Sequence, residues 1–192
     1  MATSDRTRRP RADFTRNRAE ILESADRQFA AAGVTTSLEA VAREAGVGSA
    51  TLYRHFPTRD DLLAEVLQRR TVWIEAERDR IMDIDDTGAA LTEWLMALET
   101  FFSEFDGLPD PLRNAYLEEH NPLATTCTGF IDLTDIFVSR AQADGKAKDW
   151  LRGRDLFLAA LSLSWIRGAT LADDSSQDHL RELVVHGWAA ER

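Results

Sequence analysis

The stretch "AGVGSATLYRHFPTRDDLL", residues 45–63, gathers groups that could do chemistry: two glycines two apart, hydroxyls at Ser49, Thr51 and Tyr53, then Arg54 and His55. Three chemistries are open to such a set. A phosphate-gripping loop of the Walker type needs Gly-Lys-Ser/Thr after a strand, whereas here no lysine follows the glycines and a helical pattern precedes them. A catalytic His55 needs a nucleophile or carboxylate arranged around it, and no signature nearby supplies one. The third reading is two short helices meeting across a glycine turn, the second presenting polar groups to a DNA groove. It alone accounts for the turn glycine Gly46, the apolar plug Val47 and the polar side of the segment after them.

The flanking elements must position that pair. In "RNRAEILESADRQFAAAG", Ile21, Leu22, Ala25, Phe29 and Ala32 recur at helical spacing and Gly33 supplies the stop. "TTSLEAVAREAGV" opens with Thr36 and Glu39 in capping-box order and places Leu38, Val41, Ala42 and Ala45 on one face. "GSATLYRHF" predicts a third helix, ended by Pro57, which disfavours helical geometry at Phe56. Leu38, Val41, Leu52 and Phe56 are expected to form a small core beneath the motif.

Charge distribution supports an anionic partner despite a formal net charge of -10. Up to residue 60, ten Arg face eight acids, a balance of +2; from 61 to 192, thirteen Lys and Arg face twenty-five acids, a balance of -12. Six of the first eighteen residues are Arg, which reads as a basic arm over residues 1–14 able to lie along a DNA groove. The single Cys127 excludes an internal disulfide framework and fits a reducing cytosol. No apolar run reaches the roughly 18 residues of a membrane span, and the N-terminus lacks a signal-peptide core, so a cytoplasmic location is expected. His179 and His186, and likewise His120 and Cys127, lie seven apart rather than at the four-residue spacing of a helical metal site. No metal and no cofactor are expected. The adjacent trio Glu118, Glu119 and His120 does not share a helix face, so an enzyme active site there is disfavoured.

From Arg16 to about Leu67 the chain resembles the DNA-binding domain of TetR-family transcriptional regulators. The resemblance rests on "F-x-x-x-G", "T-S-L-x-x-V-A-x-x-A-G-V", "T-L-Y-R-H-F" and "R-x-x-L-L" at fixed spacing. It implies a helix-turn-helix domain over residues 15–60 in which Thr36 caps the second helix and touches a phosphate, Tyr53 and His55 lean on the DNA backbone, and Ser49, Ala50, Thr51 and Arg54 read base edges. Arg16 and Arg59 join the DNA-facing set. Gly48 and Ser49 stand where many relatives have Ser then Lys, which removes a side-chain cap and a cation.

The remainder, residues 61–192, reads as a helical body, giving an all-α chain of about nine helices. "TRDDLLAEVLQRRTVWIEAERDRI" predicts a long fourth helix capped by Thr58 and Asp61. Further helices are expected over 85–105, 112–122, 123–145, 155–172 and 176–191. The eighth is apolar nearly all round, which predicts cover on both sides. The resemblance implies a homodimer in which the last two helices pair, with Phe157, Leu161, Trp165, Leu183, Val184 and Trp188 at the contact. Two-fold symmetry would then match a palindromic operator with half-sites roughly 34–36 Å apart. It also implies a ligand cavity in the body, for which Trp94, Phe101, Phe105, Tyr116, Phe130 and Trp165 are candidates, with Asn121, Thr125, Thr126 and Ser162 as polar groups. The expected function is a ligand-responsive regulator, most simply a repressor released by an apolar or aromatic effector. The alternatives are a DNA-binding regulator without an effector and a helical protein-interaction adaptor.

Overall fold

The computed structural model describes residues 8–117, 119–167, 169, 171–173 and 175–190, with side chains from Asp13 onward. Among the described residues the chain forms nine helices and no strand: α1 (Arg8–Ala32), α2 (Leu38–Glu44), α3 (Ser49–His55), α4 (Arg59–Met82), α5 (Thr87–Phe102), α6 (Pro109–Asn114), α7 (Pro122–Ala143), α8 (Gly153–Ile166) and α9 (Ser176–Trp188). α1 to α3 pack on one another, and α1 packs on α4, forming a head. α4, α5, α7 and α8 pack together as the body, with α6 against α7 and α8 and with α9 laid on α8.

Local chemistry explains the ends. α1 stops at Gly33 and α7 just before Gly145, both at positive φ, a conformation that L side chains adopt only with strain. Thr58 and Asp61 form the expected capping box at the start of α4, the Thr58 side chain accepting from the Asp61 amide and the Asp61 carboxylate from the Thr58 amide. Four expectations are corrected. α1 begins at Arg8, so residues 8–14 of the expected arm have helical backbone, while residues 1–7 lie outside the described residues. The cap of α2 is Ser37 rather than Thr36: the Ser37 hydroxyl accepts from the Ala40 amide at 3.2 Å. α6 forms earlier than expected, because Pro109 and Pro111 suit the first helical turn. α8 ends at Ile166 rather than Ala172.

The body core is aromatic. Trp94 of α5 stacks on Phe137 of α7 at 4.8 Å, and its indole N–H donates to the Thr134 hydroxyl at 2.9 Å. Thr134 in turn donates to the Phe130 carbonyl, so the buried polar pair is satisfied. Phe101, Phe102, Phe130 and Phe157 form a continuous cluster of tilted and edge-on rings. Among the described residues one charge lies inside this apolar body: Glu99 on α5, 1% exposed, receives Arg181 of α9 as a two-pronged ion pair at 3.0 Å on each oxygen. Gln177 also donates to Glu99, which fastens α9 to the body.

The outer faces of α8 and α9 differ from expectation. Phe157, Leu161 and Trp188 are buried within the chain itself, and they leave the set of residues able to meet a second copy. Phe157 and Leu161 are buried as α8 packs on α5 and α7, and the end of α9 that carries Trp188 is tied down by the Ala190–Lys146 and Lys148–Trp188 backbone bonds. Trp165 at 61% and Leu183 at 69% exposure remain open, with Val184 half-buried and Leu158 as an unforeseen fourth apolar residue on that face.

Candidate nucleic-acid interface

The turn between α2 and α3 is built as the sequence reading expected. Gly46 takes φ +67°, the Gly46 amide donates to the Arg43 carbonyl and the Val47 amide to the Ala42 carbonyl, which closes α2 in a left-handed cap. Val47 packs on the core, and Gly48 enters α3 in extended geometry with no side-chain cap. Leu52 and Phe56 anchor α3 inward at 0% and 1% exposure. The opposite side therefore faces out: Ser49, Ala50, Tyr53 and Arg54 are exposed and Thr51 is half-buried. Arg54 has no ion-pair partner among the described residues, so its donors are free to meet a phosphate or a base. Arg16 on α1 is also exposed and, among the described residues, pairs only with the exposed Asp13 one turn before it, at 3.2 Å.

Two members of the expected DNA-facing set are used otherwise. Arg59 turns back under the head, its Nη1 donating to the carbonyls of Val34 at 2.6 Å and Thr36 at 2.7 Å, and so braces the α1–α2 connection. His55 lies against the Phe14 ring at 4.0 Å, with both ring nitrogens covered and without a hydrogen-bond partner among the described residues. Neither nitrogen reaches out to a DNA backbone in this conformation. Thr36 stays near the surface, half-buried, without the capping role expected of it. The sequence held no signal for the Phe14 contact, because the partner stands forty-one positions away on another helix.

Burial, then the charges of Arg54 and Arg18, lowers the His55 pKa below its ordinary 6.5. The unfolded chain therefore binds more protons than the folded one between the lowered value and about 6.5. His55 contributes stability that is complete above that range and is lost as pH falls through it. The urea midpoint of the native protein is expected to drop more between pH 7.5 and 5 than that of His55→Phe; parallel curves would remove this assignment.

The head is held to the body by a few specific contacts. Arg70 of α4 pairs with Asp26 of α1 at 2.7 and 2.9 Å and with Glu104, while its guanidinium lies 4.7 Å over the Phe105 ring. Those carboxylates raise the Arg70 pKa further above its already high value. Phe105 meets Phe29 edge-on, and the Val34 amide donates to the Asp106 carbonyl at 2.9 Å. Asn121, which caps α7, donates to Asp60 in the first turn of α4 at 2.6 Å.

A cavity of about 640 Å³ opens where head and body meet, between α4 and α7 and beneath the end of α3. Of the expected pocket aromatics only Phe130 lines it, together with the expected Thr125 and Thr126. Trp94 and Phe101 are filled core, and Tyr116 is exposed with its hydroxyl bonded to Thr128. Phe105 and Trp165 border a separate hollow of about 390 Å³ beside residues 102–110. The expected aromatic pocket is thus replaced by a mixed one, because helical spacing identifies apolar residues without telling filled core from cavity wall.

The match to known proteins spans both parts. Residues 21–66 match the model of the bacterial regulatory proteins of the tetR family, and residues 86–190 match the C-terminal domain of SbtR-like transcriptional regulators. The chain belongs to the TetR family. An HTH-type transcriptional regulator of Staphylococcus aureus (strain USA300) is 43% identical over 60 residues, which is 31% of this chain and 32% of that protein. The alignment thus spans about a third of the length of the curated relatives. The TetR transcriptional regulator SCO0520 from Streptomyces coelicolor is similar in structure, with 26% identity, a TM-score of 0.59 and coverage of 91% of this chain and 99% of that one. FadR from Bacillus subtilis, solved with stearoyl-CoA, shares the fold at 18% identity and a TM-score of 0.64, over 88% of this chain and 98% of its own. Among the described residues of this TetR-family chain, no helix is long and apolar enough to cross a membrane.

Proposed function

We propose that this protein is a DNA-binding transcriptional repressor that acts as a homodimer and is released from a palindromic operator by a small molecule. The observation that carries the reading is α3, a seven-residue helix anchored by Leu52 and Phe56 that presents Ser49, Thr51, Tyr53 and the unpaired Arg54 outward across a glycine turn. Groups at the start of such a helix reach base edges, while Arg16, Tyr53 and the exposed rim set register on phosphates. Trp165 and Leu183 on the outer face of α8 and α9 supply apolar surface for a second copy. The cavity between head and body supplies a place where a ligand would favour one head orientation over another, which is what release requires.

The test is a gel-shift titration of the full chain on its own upstream DNA at two salt concentrations. Sequence-specific retardation that weakens with salt is expected, and Arg54→Ala should lower affinity by about 10- to 100-fold. Retardation unaffected by Arg54→Ala would remove α3 as the reader. Absence of binding to both upstream DNA and DNA selected from a random pool would favour the protein-interaction adaptor.

A further inference from the structure

We propose that the head–body cavity binds an apolar organic cation, a protonated or quaternary amine carried on an alkyl or aryl body. This deepens the effector reading above and rests on it for the link to DNA.

The volume, about 640 Å³, lies within the range of drug-sized ligand sites, on the order of 300–1,000 Å³. Its two main walls differ in chemistry. On the α7 side the lining is uncharged, with Thr125, Thr126, Gly129, Phe130 and Leu133. On the α4 side a stripe at three- and four-residue spacing brings Asp61, Glu65, Gln68, Thr71 and Glu75 to face it. Ile74 and Phe130 are almost fully buried and give the floor an apolar character.

Charge decides the ligand class. Three carboxylates and two guanidiniums line the cavity, and both guanidiniums are already engaged. Arg18 pairs with Glu65 and lies 4.4 Å over the Phe56 ring, and Arg78 pairs with Asp79 at 2.7 Å. Asp61 is bonded to Thr58 but has no cationic partner, and Glu75 has no ion-pair partner among the described residues. The uncompensated charge at the wall is therefore negative, inside a body whose sequence balance is itself -12. An acyl-CoA such as the stearoyl-CoA of FadR would bring several negative charges against Asp61 and Glu75. A cation meets them favourably, and the guanidinium seated over Phe56 shows that the cavity rim already accepts a positive group on an aromatic face.

Gly129 makes the site testable without disturbing the fold. A Cβ added there meets nothing within 4 Å and Gly129 lines the cavity, so a side chain placed there starts at the cavity wall without meeting packed atoms.

The experiment is isothermal titration calorimetry of the full chain with decyltrimethylammonium and with decanoate, two probes that share a tail length and differ in head charge, each below its aggregation concentration. The cation should bind at least about tenfold more tightly than the anion. Glu75→Gln should weaken the cation by about three- to fivefold and leave decanol unchanged. Gly129→Phe should abolish cation binding while the thermal unfolding midpoint does not fall and helical circular dichroism is kept. Equal or tighter binding of decanoate, no binding of either probe, or cation binding that persists in Gly129→Phe would overturn the proposal. The gel shift separates the two readings: probe-free DNA binding with no cation preference sinks the ligand class alone, whereas cation binding without any DNA binding sinks the repressor reading alone.

Discussion

Arg181→Met is expected to destabilise the protein by about 3–5 kcal/mol, the cost of leaving a buried carboxylate without its cation. Glu99 sits on the inner face of α5 at 1% exposure and depends on two 3.0 Å bonds from Arg181. Gln177 would remain as a neutral donor, which satisfies part of the carboxylate but does not offset its charge. α9 fully buries only Trp188, with Leu180, Val184 and Val185 partly buried against the core, so the ion pair adds to a modest apolar seam. The urea midpoint should fall with an unchanged slope. The double variant Glu99→Met with Arg181→Met should recover most of the loss, since two apolar groups leave no charge behind. A loss under about 1 kcal/mol in the single variant would show that α9 is held by its apolar contacts and its other hydrogen bonds rather than by the ion pair.

Two glycines on facing helices should respond to alanine with opposite signs. Gly153, at the start of α8, lies against α7 so closely that an added Cβ would stand 2.6 Å from the Asp135 amide nitrogen and 2.7 Å from the Ile131 carbonyl oxygen. Neither backbone atom moves without shifting α7, and the Gly153 amide bond to Asp135 at 2.6 Å would open with it. Gly153→Ala is expected to cost about 1–3 kcal/mol, the usual penalty of overpacking. Gly129, in the middle of α7, faces open space, so Gly129→Ala should stabilise by up to about 1 kcal/mol through helix propensity. Thermal unfolding of the two variants beside the native chain checks both signs. A neutral Gly153→Ala would mean that the crossing of α7 and α8 is looser than these distances require.

Much of the head was legible because its signals are local. Gly46, Val47, Leu52 and Phe56 act through turn geometry and helical spacing, which a linear sequence records, and the reading helix follows from them. Arg59 and His55 were not legible in the same way. Their types suit DNA contact, yet Arg59 is taken by the carbonyls of Val34 and Thr36 and His55 is covered by Phe14. The apolar character of Phe157, Leu161 and Trp188 was equally plain from sequence, but apolar character does not say which surface buries a residue. Competition for a side chain among distant partners is settled only when helices pack.

The sequence by itself determined that the regular structure of the described residues is helical, that the first third carries a glycine-turn helix pair with a polar outer face, and that acidic charge is concentrated in the rest, since periodicity, turn residues and charge are local properties. Tertiary structure alone decided that Glu99 would be buried beneath Arg181, that Trp165 and Leu183 would stay open, and that the cavity would form between head and body with a carboxylate wall. These depend on how α4, α7, α8 and α9 cross, and crossing is set by the sum of many weak contacts between residues far apart in the chain.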